Sequence, residues 1–178
     1  MSDSTLPKVS IVIPCYQAHE FIGDAVRCAV SQTYPNIEVV VAPDDGDDYE
    51  FLHRIFQSKS LKILPPLATT GTGPGATRNR AINVASGDFF AMLDADDLIS
   101  PDYIERLLSV ARNEGAAIAP TLYVQWDGET IVRASIPNAP RLDLCGFGKL
   151  LCSMHPMIHR SLEPGFLDGF AEDVIRDG

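Results

Sequence analysis

No C-x-x-C pair occurs among the four cysteines, Cys15, Cys28, Cys145 and Cys152. Zinc ribbons and dithiol redox sites need that spacing, so neither is expected. The four read as buried free thiols of a reducing compartment. No run of eighteen apolar residues is present, which argues against a membrane-spanning helix. The opening MSDSTLPK lacks the basic-then-apolar order of a secretory leader, so a cytoplasmic protein is expected. Positive charge is scarce: 14 Lys and Arg stand against 24 Asp and Glu, for a net charge of -10. Nucleic acids and anionic membranes reward a basic surface and are not the expected partners. Anionic small molecules stay open, because a bound divalent cation inverts the local charge. The glycine-rich GTGPG has no Gly-Lys-Ser/Thr after it, which rules out a P-loop. Repeats and low-complexity tracts are missing too. What remains is a chain of 178 residues, 46% hydrophobic and 21% charged. That suits one globular domain with a real core.

The apolar residues are grouped. Residues 9–13, VSIVI, form a β-branched run ending at Pro14, as a fully buried parallel strand would. Phe21, Ile22, Ala25, Val26, Ala29 and Val30 recur at helical spacing, and Pro35 stops that helix. Further strands are expected at 38–42, 61–64 and 89–93, and a helix at 76–85 ending near Gly87. Ser100 and Pro101 read as the cap and first turn of a helix whose face is Tyr103, Ile104, Leu107, Leu108 and Ala111. The alternation predicts a doubly wound, mostly parallel sheet with ligands at the carboxyl ends of its strands. Asp127-Gly128 between LYVQW and TIVRA predicts an antiparallel hairpin in the C-terminal half. Residues 1–98 are read as a nucleotide-binding half, and 99–178 as the half that shapes the rest of a cleft.

LDADD, at the end of the 89–93 strand, packs three carboxylates into four positions. Residues i and i+2 of a strand share a face, so Asp94 and Asp96 are expected on one side with Asp97 beside them. Such charge repels itself unless a cation relieves it. Mg²⁺ and Mn²⁺ take oxygen ligands, often one or two carboxylates plus phosphate oxygens. A metal–diphosphate clamp is one reading; a solvated acidic loop capping the next helix is the other. An EF-hand fails, because Ile99 stands where its glycine belongs. A D-x-D phosphohydrolase with Asp94 as nucleophile lacks the Thr or Val expected where Leu98 stands. PDDGDDYE (43–50) places more acid past a second strand end, where one Asp could accept hydrogen bonds from a base or ribose. His155 and His159 could pair on a metal only in a helix that Pro156 opposes. His155 is also a candidate contact for acceptor or diphosphate. Trp126 reads as hairpin core or as a sugar-stacking face.

Several ordered motifs carry a resemblance. VSIVIPCYQAHEFIGDAVRCAVSQTYPNIEVVV resembles the opening of family 2 glycosyltransferases. GATRNRAINVASGDFFAMLDADDLISPDYIERL resembles their A-R-N and D-x-D-D segments. GFLDGFAEDVIRDG resembles the stretch that carries their Glu-Asp pair. The likeness covers most of 8–110 and a patch at 165–176; residues 116–160 add nothing. It implies a single GT-A domain and metal-dependent, inverting transfer of a sugar from a nucleoside diphosphate, a UDP-sugar first. The acceptor would be a hydroxyl of a glycan or other molecule, and the metal Mn²⁺ or Mg²⁺. By position, Pro14 and Tyr16 would flank the nucleotide, and Asp44 or Asp45 would meet the base, with Asp44 favoured. Arg78 would lie near the donor, Asp94 near its ribose or sugar, and Asp96 would contact the metal with Asp94. Asp173 would be the catalytic base. The family also suggests bacterial polysaccharide assembly, beside the inner membrane through partners. Gln17 departs from the family's usual Asn. The chain also ends five residues after Asp173, where members continue with another helix, so it is a minimal member or an excerpt. The non-enzyme alternative is a nucleotide-sugar-binding module without turnover.

Overall fold

The computed structural model describes residues 6–118, 122–124, 131–133 and 155–161. Within these, β1 (Val9–Cys15), α1 (Ile22–Val30), β2 (Ile37–Pro43), α2 (Phe51–Phe56), β3 (Leu61–Ile63), α3 (Pro74–Val84), β4 (Phe89–Met92) and α4 (Tyr103–Glu114) alternate along the chain. β5 (Ala116–Ile118), β6 (Leu122–Val124), β7 (Ile131–Arg133) and β8 (Pro156–His159) follow. One sheet runs in the order β3-β2-β1-β4-β8-β5. β3, β2, β1 and β4 are mutually parallel; β8 is antiparallel to both β4 and β5.

The runs that looked fully buried are so because helices cover both faces. Along β1, Val9, Ile11 and Ile13 pack with Val39, Val41 and Ala91 beneath α1, α2 and α4. The alternate residues Val12, Val40, Phe90 and Met92 pack against Ala81, Ile82 and Ala85, in and just beyond α3 on the other face. A strand's two-residue period makes that division, and neither face can be polar. The register pairs Ile11 with Val39 on one side and with Ala91 on the other, so the three longest apolar runs lie side by side. β6 and β7 pair antiparallel, as the hairpin motif predicted.

Three boundaries differ from the sequence reading. α4 starts at Tyr103 with Asp102 at its cap, two residues later than Pro101 suggested. The cause is tertiary: the Pro101 carbonyl accepts from Thr33 N at 2.8 Å, and the Ser100 carbonyl from Gln32 Nε2 at 2.8 Å. Those bonds tie 100–102 to the end of α1 in a non-helical turn. α3 takes in Pro74-Gly75, and Pro at its first turn leaves no amide unsatisfied. Its C-terminus is closed by extended Ala85, not by Gly87. The edge beyond β4 is also new: β8 and β5 extend the same sheet, although Pro156 opens β8. None of the described helices is long and apolar enough to cross a membrane.

Candidate functional site

The carboxyl ends of β1, β2 and β4 open into a cleft of about 690 Å³. Its lining includes Pro14, Tyr16, Phe21, Asp44, Gly71, Gly73, Thr77, Arg78, Asp94 and Asp96. Parallel strands put their C-terminal loops at one edge, so residues far apart in the chain meet there.

β1 supplies an aromatic rim. Tyr16 is 55% exposed and Phe21 54%, both at the mouth of the cleft. Phe21 had been read as part of α1's buried stripe; it sits one residue before the helix and faces out. Cys15 behind them is a buried free thiol, and burial raises its pKa to about 11. Such a thiol is inert. Cys28 is free too, whereas Cys145 and Cys152 lie outside the described residues.

β2 ends in two aspartates with different surroundings. Asp44 is buried and lines the cleft. Its Oδ1 accepts from Thr72 Oγ1 at 2.7 Å and its Oδ2 from Gly73 N at 3.0 Å. Gly71 and Gly73 stand at φ 66° and 95°, a region glycine enters without steric cost, which lets the GTGPG loop fold onto Asp44. Asp45 turns away from the cleft. It accepts from Gln17 N at 2.7 Å, from Tyr49 Oη at 2.5 Å and from Asp47 N at 3.1 Å, and so shapes the loop after β1.

At the end of β4 the backbone leaves the strand before the acids begin. Leu93 N still bonds Val12 O at 3.0 Å, and then Asp97 N reaches back to Asp94 O at 3.1 Å in a turn. Asp94 and Asp96 both line the cleft, through that turn and not through strand alternation. Asp96 is exposed. Asp94 accepts from Arg78 Nη2 at 2.5 Å, which brings the A-R-N arginine onto the D-x-D aspartate.

The turn also carries Asp97 to His155. His155 Nε2 lies 3.0 Å from Asp97 Oδ2 and 3.7 Å from Asp94 Oδ2, in a side chain only 6% exposed. Both contacts are ion pairs, and the buried Nε2 meets no hydrogen-bond geometry among the described residues. The Tyr103 hydroxyl donates to the His155 carbonyl at 2.8 Å and fixes the backbone there. Burial disfavours the charge on Asp94, but His155 and Arg78 outweigh it and draw the carboxyl down to about 2. Burial likewise opposes charge on His155, and Asp94 and Asp97 overcome it, raising the imidazole to about 9. One donor atom each from Asp94, Asp97 and His155 lies within 4.8 Å of the others, a set able to hold a metal ion. One imidazole nitrogen and two carboxylates are donor types that a divalent transition ion accepts.

His159 does not join this group. It pairs with Phe89 at the far end of β4, stacks edge-on against that ring, and bonds Ser161. A β-strand, not a helix, separates the two histidines. Asp97 had been placed only loosely beside the D-x-D pair, and its meeting with His155 carries no signal in the chain. Asp173 and Trp126 lie outside the described residues.

Comparison with known proteins gives the cleft a setting. Residues 10–162 match the family described as glycosyl transferase family 2. The amylovoran biosynthesis glycosyltransferase AmsB of Erwinia amylovora is 36% identical over 110 residues, 60% of this chain and 36% of that protein. S. aureus TarS, crystallised with UDP-GlcNAc, superposes with a TM-score of 0.59 at 24% identity, covering 72% of this chain and 38% of TarS. The mannosyltransferase PcManGT of Pyrobaculum calidifontis, in complex with GDP-Man and Mn²⁺, gives 0.57 at 20% identity, covering 65% and 35%. The two structures share the GT-A fold expected from the sequence. The chain spans less than half the length of the curated relatives it matches.

Proposed function

The chain belongs to glycosyl transferase family 2, and on that premise we propose that it moves a sugar, with inversion, from a nucleoside diphosphate, preferably a UDP-sugar, to an acceptor hydroxyl. One observation carries the reading. Tyr16, Asp44, Arg78, Asp94 and Asp96 line one cleft at the carboxyl ends of parallel strands. The chemistry follows from their types. Tyr16, with Pro14 behind it, offers an apolar face for the base. Asp44 offers carboxylate oxygens to base or ribose donors. Arg78 offers a planar fork of N–H groups to phosphate oxygens.

Asp94 and Asp96 are the residues assigned to Mn²⁺ or Mg²⁺. A divalent ion there supplies neutralising charge for the leaving diphosphate. Asp173 is assigned the acceptor's proton: a hydroxyl is a weak nucleophile at neutral pH, and a placed carboxylate removes its proton as the new bond forms. Such a base contributes roughly a hundred- to ten-thousand-fold in rate. Residues 99–178 are assigned to the acceptor side. Polysaccharide biosynthesis is the setting included in the proposal, in line with relatives named for amylovoran and succinoglycan biosynthesis. A covalent phosphoenzyme on Asp94 fits less well, because Arg78 already engages Oδ1.

Calorimetric titration with UDP, with and without Mn²⁺, tests the reading in the full chain and in Asp96→Ala. Binding that needs Mn²⁺ and weakens at least about tenfold in the variant supports it. UDP binding indifferent to both ion and Asp96 sinks the clamp. Donor binding without turnover, unchanged by Asp173→Ala, converts the reading into a binding module.

A further inference from the structure

Thr72 is unused in the donor chemistry above, yet it bonds to a residue that the cleft depends on. Asp44 is 3% exposed and still lines the cleft. All of its polar atoms are engaged. Its N–H donates to the Cys15 carbonyl at 2.8 Å, and its own carbonyl accepts from Gly71 N at 2.7 Å. Its Oδ1 accepts from Thr72 Oγ1 at 2.7 Å and its Oδ2 from Gly73 N at 3.0 Å. With a donor on each oxygen, the carboxylate cannot turn without breaking both bonds. Gly73 alone would leave it free to pivot on one oxygen.

The same loop touches the aromatic rim. A Cβ at Gly71 would stand 4.0 Å from Tyr16 Cε2, so the Tyr16 ring lies against residues 71–73. One loop therefore holds both a flat apolar face and a charged acceptor. A base laid on the ring presents a polar edge, and the carboxylate can read it.

An ionised carboxylate accepts hydrogen bonds and donates none, and each oxygen can take more than one donor. Uracil offers it an imino N–H between two carbonyls. Cytosine offers a bare ring nitrogen at that place, and lone pairs then face each other. Such a mismatch is a means of rejecting the wrong partner. The amino group of cytosine lies next to that nitrogen, so a carboxylate free to pivot could reach it instead. Telling the two bases apart needs the carboxylate to be fixed as well as present.

We propose that Thr72 is a positioning residue for the nucleobase: its hydroxyl pins Asp44, so that the cleft takes the imino N–H of a uracil-type base and rejects cytosine. This rests on the donor reading, in which Asp44 meets the base, and adds the group that sets the choice.

UDP and CDP share ribose and diphosphate, so the ratio of their affinities isolates the base edge. Both are titrated by calorimetry with Mn²⁺ into the full chain, Thr72→Val and Thr72→Ser. Valine keeps the shape of threonine and removes the hydroxyl. Wild type is expected to prefer UDP at least about tenfold. Thr72→Val should cut that preference at least about fivefold, and Thr72→Ser should hold it within about twofold. Each ratio is read on one preparation, so unfolded protein lowers the stoichiometry and leaves the ratio alone. A preference unchanged in Thr72→Val overturns the proposal, as does equal weakening of both nucleotides, the mark of a merely structural contact. Its loss in Thr72→Ser overturns it too. If UDP binding needs Mn²⁺ and Asp96 while the ratio ignores Thr72, this proposal fails and the donor reading stands. If wild type does not prefer UDP over CDP, reading of the base by Asp44 fails as well. If wild type binds neither nucleotide, the donor reading falls with it.

Discussion

Two charged clusters sit at opposite edges of the same sheet, and they are finished differently. At the amino edge, Glu38 is almost fully buried, and every approach to it is used. Its Oε1 accepts from Ser10 Oγ at 2.6 Å and from Ser86 N at 2.5 Å; its Oε2 accepts from Lys62 Nζ at 2.8 Å, with Lys8 Nζ at 3.1 Å. At the carboxyl edge, Asp94, Asp97 and His155 are close but leave an imidazole nitrogen without a hydrogen bond. Both edges concentrate charge beneath the surface. One is saturated by the protein's own donors, and the other keeps bonding capacity in reserve. A saturated cluster holds strands together; an unsaturated one is shaped for something the chain does not itself supply.

Breaking the saturated edge should have the largest effect on folding. Glu38→Gln removes the charge that two lysines share and sets an amide N–H₂ against a lysine donor. Burial alone would raise the Glu38 pKa, but Lys62, Ser10, Ser86 and Lys8 outweigh it and hold the carboxyl well below the usual carboxylate range. The lysines are partly exposed, so a cost of about 3 kcal/mol, at the low end for a broken buried pair, is expected in urea melts at pH 7. The sign with pH is set by the lowered pKa. Near pH 4 the unfolded chain holds a proton on Glu38 that the folded chain does not. This share of stability is therefore whole above the ordinary glutamate value of about 4.3 and fades as the pH falls below it. The variant should lose that part of the acid dependence; an unchanged acid slope would mean that the lysines do not couple to Glu38.

Gly87→Ala attacks the same edge by volume, not by charge. A Cβ there would collide with Ser10 Oγ and stand 2.7 Å from Ser10 N and 2.9 Å from Lys8 O. The last two are backbone atoms in or beside β1, so the strand itself has to move. About 2 kcal/mol of destabilisation is expected, with the thermal midpoint as readout. A neutral Gly87→Ala would show that the amino edge is looser than its hydrogen bonds imply.

The same treatment at the open edge should leave folding nearly untouched. Asp96 and Tyr16 are exposed and line the cleft, so Asp96→Ala and Tyr16→Ala should each change stability by less than about 0.5 kcal/mol. Both should weaken UDP. Loss of stability comparable to Glu38→Gln would erase the distinction between the two edges.

That distinction was only half legible in the chain. The buried strands were, because β1, β2 and β4 are short apolar runs whose ends are marked by Pro14, Pro43 and the first acids after Leu93. The cleft's aspartates were legible as well, since strand ends place them and the resemblance orders them. A count along β2 favoured Asp44 over Asp45, and of the two it is Asp44 that lines the cleft. What could not be read is what depends on encounters between distant segments. Asp97 meets His155 only because β8 returns antiparallel beside β4, and the sequence reading, which weighed Pro156 only against a helix, expected no strand there. Thr33 reaching Pro101 delays α4, and no local propensity reports that bond. Phe21 looked like one more residue of an apolar stripe, because periodicity alone does not say where a helix begins.

The smallest expected effect lies between the two edges, in the loop after β1. Gln17 stands at φ 50°, where the Cβ of any L residue crowds the backbone carbonyl and Asn is among the best tolerated after Gly. Its amide donates to Asp45, and Asp45 in turn holds Tyr49, so the strained backbone is fixed from outside. This explains in physical terms why Asn is usual there in the family. Gln17→Asn should keep the Asp45 contact and relieve part of the strain, raising stability by about 0.5 kcal/mol. The shift is small, so it is best read as a change in urea midpoint at constant slope. Donor affinity should not change, because the residue's backbone shapes the rim while Tyr16 and Asp44 are the residues proposed to meet the donor. A loss of stability in Gln17→Asn would mean that the longer glutamine side chain has a partner that outweighs the backbone cost.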